Sequence, residues 1–112
     1  IHKEFKVHFN KIDWNIFIEL SYDPSLKEMI EIGKHLIPDQ TTISDTKHLG
    51  IRLSLTHPFM VQFVGTDNLR IEPILRMSAA FGLAEIIAKE SGAKTQGEIR
   101  RNFNELITKI ST

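Results

Sequence analysis

The sequence contains no cysteine. Disulfides, thiolate metal sites, zinc ribbons and cysteine nucleophiles are therefore excluded. It has no charge excess of either sign, because fourteen basic residues balance fourteen acidic ones. That excludes a protein that coats nucleic acid by bulk electrostatics, and equally an acidic solvating tail. No apolar run approaches the roughly 18 residues that span a bilayer, and no signal-peptide pattern opens the chain. A cytoplasmic chain without a membrane partner is the expectation. The glycines, at 33, 50, 65, 82, 92 and 97, form neither G-x-G-x-x-G nor a Walker A run. No G-x-S-x-G elbow occurs, and Ser44, Ser54, Ser78 and Ser91 have no readable base partner.

What is present is an ordinary globular composition. The chain has 112 residues, 41% of them hydrophobic and 25% charged. One domain over residues 1–112 is expected, since single domains are commonly about 100–150 residues. The first residue is Ile1 and not methionine. This points to an accessory domain that is a fragment of a larger protein.

Patterning changes near Pro58. Before it, apolar and polar residues mostly alternate; after it, apolar residues follow helical spacing. Phe5, Val7 and Phe9 alternate with Lys6 and His8, which reads as a half-buried strand. Trp14, Ile16, Ile18 and Leu20 read as a second, although Phe17 interrupts its polar face. Asn10, Lys11, Ile12 and Asp13 make a connection short enough for an antiparallel hairpin. Ile51, Leu53 and Leu55, alternating with Arg52 and Ser54, predict a third strand over 49–55.

Residues 23–37 admit two readings. Asp23 as N-cap, Pro24 at the first position and apolar residues at 26, 29, 30, 33, 36 and 37 favour a helix. The short β-branched run 29–33 also fits a strand after a turn. Residues 38–47 read as a polar loop.

A short helical turn follows His57-Pro58, with Phe59, Met60 and Phe63 as its apolar residues. Residues 71–91 then form the strongest predicted element. Apolar residues cover most of its circumference, and Ser78, Gly82, Glu85 and Lys89 form one narrow stripe. Such a helix is buried by its own domain or partly by another chain. A last helix is expected from Thr95, with Glu98 completing a capping box. Ile99, Phe103, Leu106, Ile107 and Ile110 form its apolar stripe, and Arg100, Arg101, Asn104 and Lys109 its polar face. The expected architecture is α+β: a small antiparallel sheet of three or four strands packed against two C-terminal helices.

Catalytic constellations are few. Asp39, Asp45 and Lys47 have the residue types of a metal-dependent nuclease, in which two carboxylates hold a cation and a lysine helps activate water. They stand in one polar loop with no strand between them. His2, His8, His35, His48 and His57 show no i, i+4 pairing and so no helical metal clamp. His57, before Pro58, reads as a residue that caps or packs its turn.

Three stretches together carry a resemblance: residues 50–60 with their His57-Pro58-Phe59 junction, residues 71–85, and residues 99–106 with Arg100-Arg101-Asn102. In this order they resemble the C-terminal region of bacterial GHKL-type ATP-binding proteins, of the gyrase, histidine-kinase and MutL kind. Some of these are MORC-like and occur beside restriction or phage-defence enzymes. The resemblance covers residues 49–110 and, loosely, 1–40. It implies a strand at 29–33. The family's N-box, D-x-G-x-G motif and glycine-rich lid are missing here, so no ATP-binding residue carries over. The resemblance therefore implies a non-catalytic interaction or coupling domain, without catalytic, cofactor or metal residues. ATP and Mg would belong to an N-terminal ATPase domain of the same chain, which would be the first partner. A second copy of the chain is the other expected partner. The expected interaction residues are His57, Pro58, Phe59, Phe63, Ser78, Gly82 and Glu85. The alternative is a small stand-alone module that binds protein or nucleic acid, the latter through Arg100 and Arg101.

Overall fold

The computed structural model describes residues 2–38 and 45–111. Its first two strands form a hairpin, β1 (His2–Phe9) and β2 (Ile12–Ser21). Asn10 and Lys11 between them both adopt positive φ, at 52° and 65°. Two consecutive positive-φ residues are the mark of the two-residue turn that matches strand twist.

The α+β architecture is present, with strand order β1-β2-β4-β3. β3 (Ile30–Ile32) and β4 (Lys47–Ser54) pair antiparallel, as do β1 and β2. β2 and β4 pair parallel, so the sheet is mixed and not wholly antiparallel. A parallel pair needs a crossover of about a dozen residues or more. Among the described residues of the connection no α-helix supplies it. The chain leaves β2, forms β3 at the far edge, and returns through a 3-10 turn at Lys34–Leu36.

Helical spacing over 23–37 is therefore misleading. The Asp23 carboxylate accepts from the Ser25 backbone N–H (2.9 Å) and hydroxyl (2.8 Å), closing a turn. Met29 and Ile30 are then buried against the sheet, where a strand hides them and a surface helix would not. The strand implied by the resemblance is the one observed, over Ile30–Ile32.

Two helices cover one face of the sheet. α1 (Asn68–Glu90) begins at Asp67, whose carboxylate accepts from Leu69 N–H (2.9 Å). α2 (Gln96–Ile110) begins at Thr95, but no side-chain bond caps it, so the expected capping box does not form. Glu98 N–H bonds instead to the Thr95 carbonyl (3.0 Å). A helical turn at Met60–Val64 precedes α1 and closes widely, with Gly65 N–H on the Met60 carbonyl (2.7 Å). The core lies between sheet and helices. Ile16, Ile18, Ile51, Leu53, Met60 and Leu75 are its most deeply buried members. Burying each such side chain contributes about 1.5–3 kcal/mol.

Both helices face differently from their sequence pattern. On α1 the buried line is Ile71, Leu75, Ser78, Ala79, Gly82 and Leu83, so Ser78 and Gly82 point into the core and not outward. The small residues are there because the helix lies close to β4. A Cβ on Gly82 would stand 2.7 Å from Ile51 Cδ1. Leu69 and Met77 are left exposed. On α2, Ile99, Leu106 and Ile110 are exposed, whereas Asn104 is 4% exposed. Phe103 and Ile107 do pack against the core, so the helix is turned part-way, with Asn104 brought to the sheet edge beside them.

Among the described residues, no helix is long and apolar enough to cross a membrane.

Candidate functional site

The structure distributes the expected interaction residues over several places. His57 is 2% exposed. Its Nδ1 accepts from the Phe59 backbone N–H (3.1 Å), which assigns the proton to Nε2. Nε2 then donates to Thr108 Oγ1 (2.8 Å), and that hydroxyl donates to the Asn104 carbonyl (2.8 Å). Burial holds the imidazole below its ordinary pKa. His57 thus fastens the Met60–Val64 turn to α2. Gln62 adds a second tie, from Nε2 to the Ser111 carbonyl (2.6 Å). Pro58 and Phe59 are half-buried at the start of that turn. Phe63 is exposed, its ring 5.5 Å from that of Phe59.

Glu85 and Arg100 join the two helices. Arg100 Nε donates to Glu85 Oε1 (2.9 Å), and both side chains are nearly enclosed, at 14% and 11% exposure. Arg100 Nη1 also reaches Glu28 (3.4 Å). Arg101 is exposed on the next helical position. The two arginines therefore do not form one basic face. Of the nine residues expected in interaction roles, His57, Ser78, Gly82, Glu85 and Arg100 serve this chain's own packing. Phe63 and Arg101 stand out into solvent.

A feature that sequence reasoning missed is a groove between the inner face of β1 and α1. α1 packs on β2 and β4 and reaches β1 only in part, where Arg76 stands over Phe5 and Phe5 and Val7 remain half-buried. The resulting cavity is about 590 Å³. Phe5, Val7 and Phe9 form one wall. Leu83, Ile87 and the small residues Ala80 and Ala84 form the other. The one charged residue lining it is Arg76, whose guanidinium carbon sits 5.5 Å above the Phe5 ring and which pairs with Glu72 (3.0 Å). The signal was available: alanines at 80, 84 and 88 are spaced to lie along one side of α1.

The sheet's other face carries a row of charges. Arg52 bonds Glu19 on β2 (2.8 Å) and Glu31 on β3 (3.0 Å), both directly opposite it in register. The Glu19 hydrogen bond raises the Arg52 pKa still further. This row ties three strands together.

Of the nuclease-like residues, Asp39 lies outside the described residues. Asp45 is exposed, and Lys47 Nζ is held by Glu90 (2.8 Å). Among the described residues no group of three or more His, Asp or Glu side chains could hold a metal ion. No family model, curated protein or solved structure matches the chain.

Proposed function

We propose that this chain is an interaction domain, acting as the C-terminal coupling part of a GHKL-like ATP-binding protein, of the kind found in restriction or phage-defence systems. The observation that supports an interaction role is the open groove between β1 and α1. An apolar surface of this extent, rimmed by one cation, is the kind of surface that packs against another protein element. The GHKL assignment rests on the sequence stretches around His57-Pro58-Phe59, residues 71–85 and residues 99–106. In this reading ATP and Mg act in an N-terminal ATPase domain, and the groove receives an element of that domain. The enclosed Glu85–Arg100 pair gives no support to a nucleic-acid face built on Arg100 and Arg101.

The test has two steps. The reading frame upstream of Ile1 is expected to encode an ATPase domain; its absence overturns the GHKL part. That domain is then titrated with this chain in the analytical ultracentrifuge. Ala80→Lys, at an exposed position of the groove wall, is expected to weaken binding at least tenfold. Unchanged binding overturns the groove as the contact.

A further inference from the structure

The two edges of the sheet are treated differently. At β3, the outward N–H and C=O of Ile30 are both taken by the Asn104 side chain, at 3.0 and 2.9 Å. At β1 no described strand or side chain does this. β1 is eight residues long, and its side chains are exposed except for half-buried Phe5 and Val7.

Register determines what the open edge presents. A two-residue turn closes on a hydrogen-bonded pair, here Phe9 with Ile12. Phe9, Val7, Phe5 and Lys3 therefore turn their backbone groups toward β2. His2, Glu4, Lys6 and His8 turn theirs toward the open edge. The bond from Leu55 N–H to the Ser21 carbonyl (2.8 Å) fits this alternation, since it requires the odd-numbered residues of β2 to face β4.

We propose that the open edge of β1 pairs antiparallel with β1 of a second copy of this chain, with Phe5 opposite Phe5, to make one continuous sheet of eight strands. A two-fold axis normal to the sheet keeps each face on its own side, so the axis must pass through a residue. Centring on Lys3, Glu4 or Lys6 sets like charges opposite one another, which is destabilising. Centring on Val7 carries Glu4 onto Asn10 in the turn. Centring on Phe5 sets Glu4 opposite Lys6 twice, both as hydrogen-bonded pairs with outward backbone groups. It also sets the two Phe5 rings side by side in a non-hydrogen-bonded pair, where side chains stand closest. His2 lies opposite His8 at each end. About eight backbone hydrogen bonds result, two for each hydrogen-bonded pair. The two grooves then meet across the axis.

This rests on reading the chain as an interaction module and names its partner. Sedimentation equilibrium of the whole chain over a wide concentration range tests it, and a concentration-dependent dimer is expected. Lys6→Glu alone, or Glu4→Lys alone, places like charges opposite each other and is expected to weaken self-association at least tenfold. The double variant Glu4→Lys, Lys6→Glu exchanges the charges across the pair and is expected to regain the dimer. Both side chains are exposed, so the melting temperature of each variant serves as the folding control. A wild-type chain that stays monomeric, a dimer indifferent to Lys6→Glu, or a double variant no better than the singles overturns the pairing. A monomer that still binds the ATPase domain overturns the pairing alone. A dimer that ignores that domain overturns the coupling alone.

Discussion

The Asn104 amide and the Ile30 backbone meet like two strands of a sheet. Asn104 Oδ1 accepts from Ile30 N–H (3.0 Å), and its Nδ2 donates to the Ile30 carbonyl (2.9 Å) and to Glu28 (3.1 Å). One side chain from α2 thereby takes both outward backbone groups of the first residue of a three-residue strand. Buried backbone groups need such partners, and each one left without costs about 1–3 kcal/mol.

Asn104→Leu strands both Ile30 groups in a buried position. Its cost is expected to be roughly 2–4 kcal/mol, read from urea denaturation. Asn104→Asp retains the acceptor but sets a carboxylate against the Ile30 carbonyl and Glu28, so it also destabilises. A cost below about 0.5 kcal/mol for both variants would refute the role assigned to Asn104.

Stability is expected to fall on mild acidification because of His57. Its folded-state pKa lies below the ordinary 6.5, since burial disfavours the cation. Between the two values the unfolded chain binds more protons, so protonation favours unfolding. The stability is fully present above the unfolded value, and is lost as pH drops from about 6.5 toward the folded-state pKa. Urea midpoints between about pH 5 and 8 show this slope. Its persistence in His57→Phe would assign it elsewhere.

Gly50→Ala tests the return of the chain over the sheet. A Cβ there would stand 2.7 Å from the Gly33 carbonyl oxygen and 2.8 Å from Leu36 Cβ. Backbone cannot swing aside as a side-chain tip can. The substitution is expected to cost about 1–3 kcal/mol by overpacking. A melting temperature equal to wild type would show that the Lys34–Leu36 turn yields freely.

Arg100 and Arg101 adjoin in sequence and differ in role. Arg100→Met leaves Glu85 enclosed without its partner, and the loss is expected to be about 3–5 kcal/mol. Arg101→Met is exposed and is expected to fall within about 0.5 kcal/mol of wild type. In Glu85→Gln combined with Arg100→Met, the cost is expected to be less than the two single costs added together. Strict additivity would mean that the pair is not coupled.

Much of the fold could be read from local pattern. Period-2 alternation placed β1, β2 and β4, because a half-buried strand must alternate. The run 71–91 placed α1, which the structure starts three residues earlier, at Asn68. His57 before Pro58 reads as a turn residue, and it caps the turn through Phe59 N–H. The facing of α2 could not be read. Its apolar stripe is Ile99, Phe103, Leu106, Ile107 and Ile110, which the rule that apolar faces turn inward would bury whole. Of these only Phe103 and Ile107 pack against the core, while Ile99, Leu106 and Ile110 are exposed. The unpaired edge of β3 and the carboxylates of Glu28 and Glu85 outweigh that rule. They need donors, and among the described side chains of this helix Asn104 and Arg100 supply them.

The groove was hard to read for a related reason. On a helix apolar all round, a line of alanines shows a side of close approach but not which strand it faces. Close approach at Gly82 decides it, and the alanines are left along β1.

The sequence by itself determined the hairpin, β4 and the two C-terminal helices in their order, but not β3, whose residues carry helical and strand spacing alike. Period, turn residues and caps act over a few residues and are written locally. It also determined the absence of thiols and of charge excess. Only the tertiary structure decided the parallel pairing of β2 with β4, the orientation of both helices and the contrast between an edge met by Asn104 at β3 and an open one at β1. Those depend on which backbone groups remain unpaired once the strands are assembled, and residues far apart in the chain, such as Ile30 and Asn104, satisfy that demand.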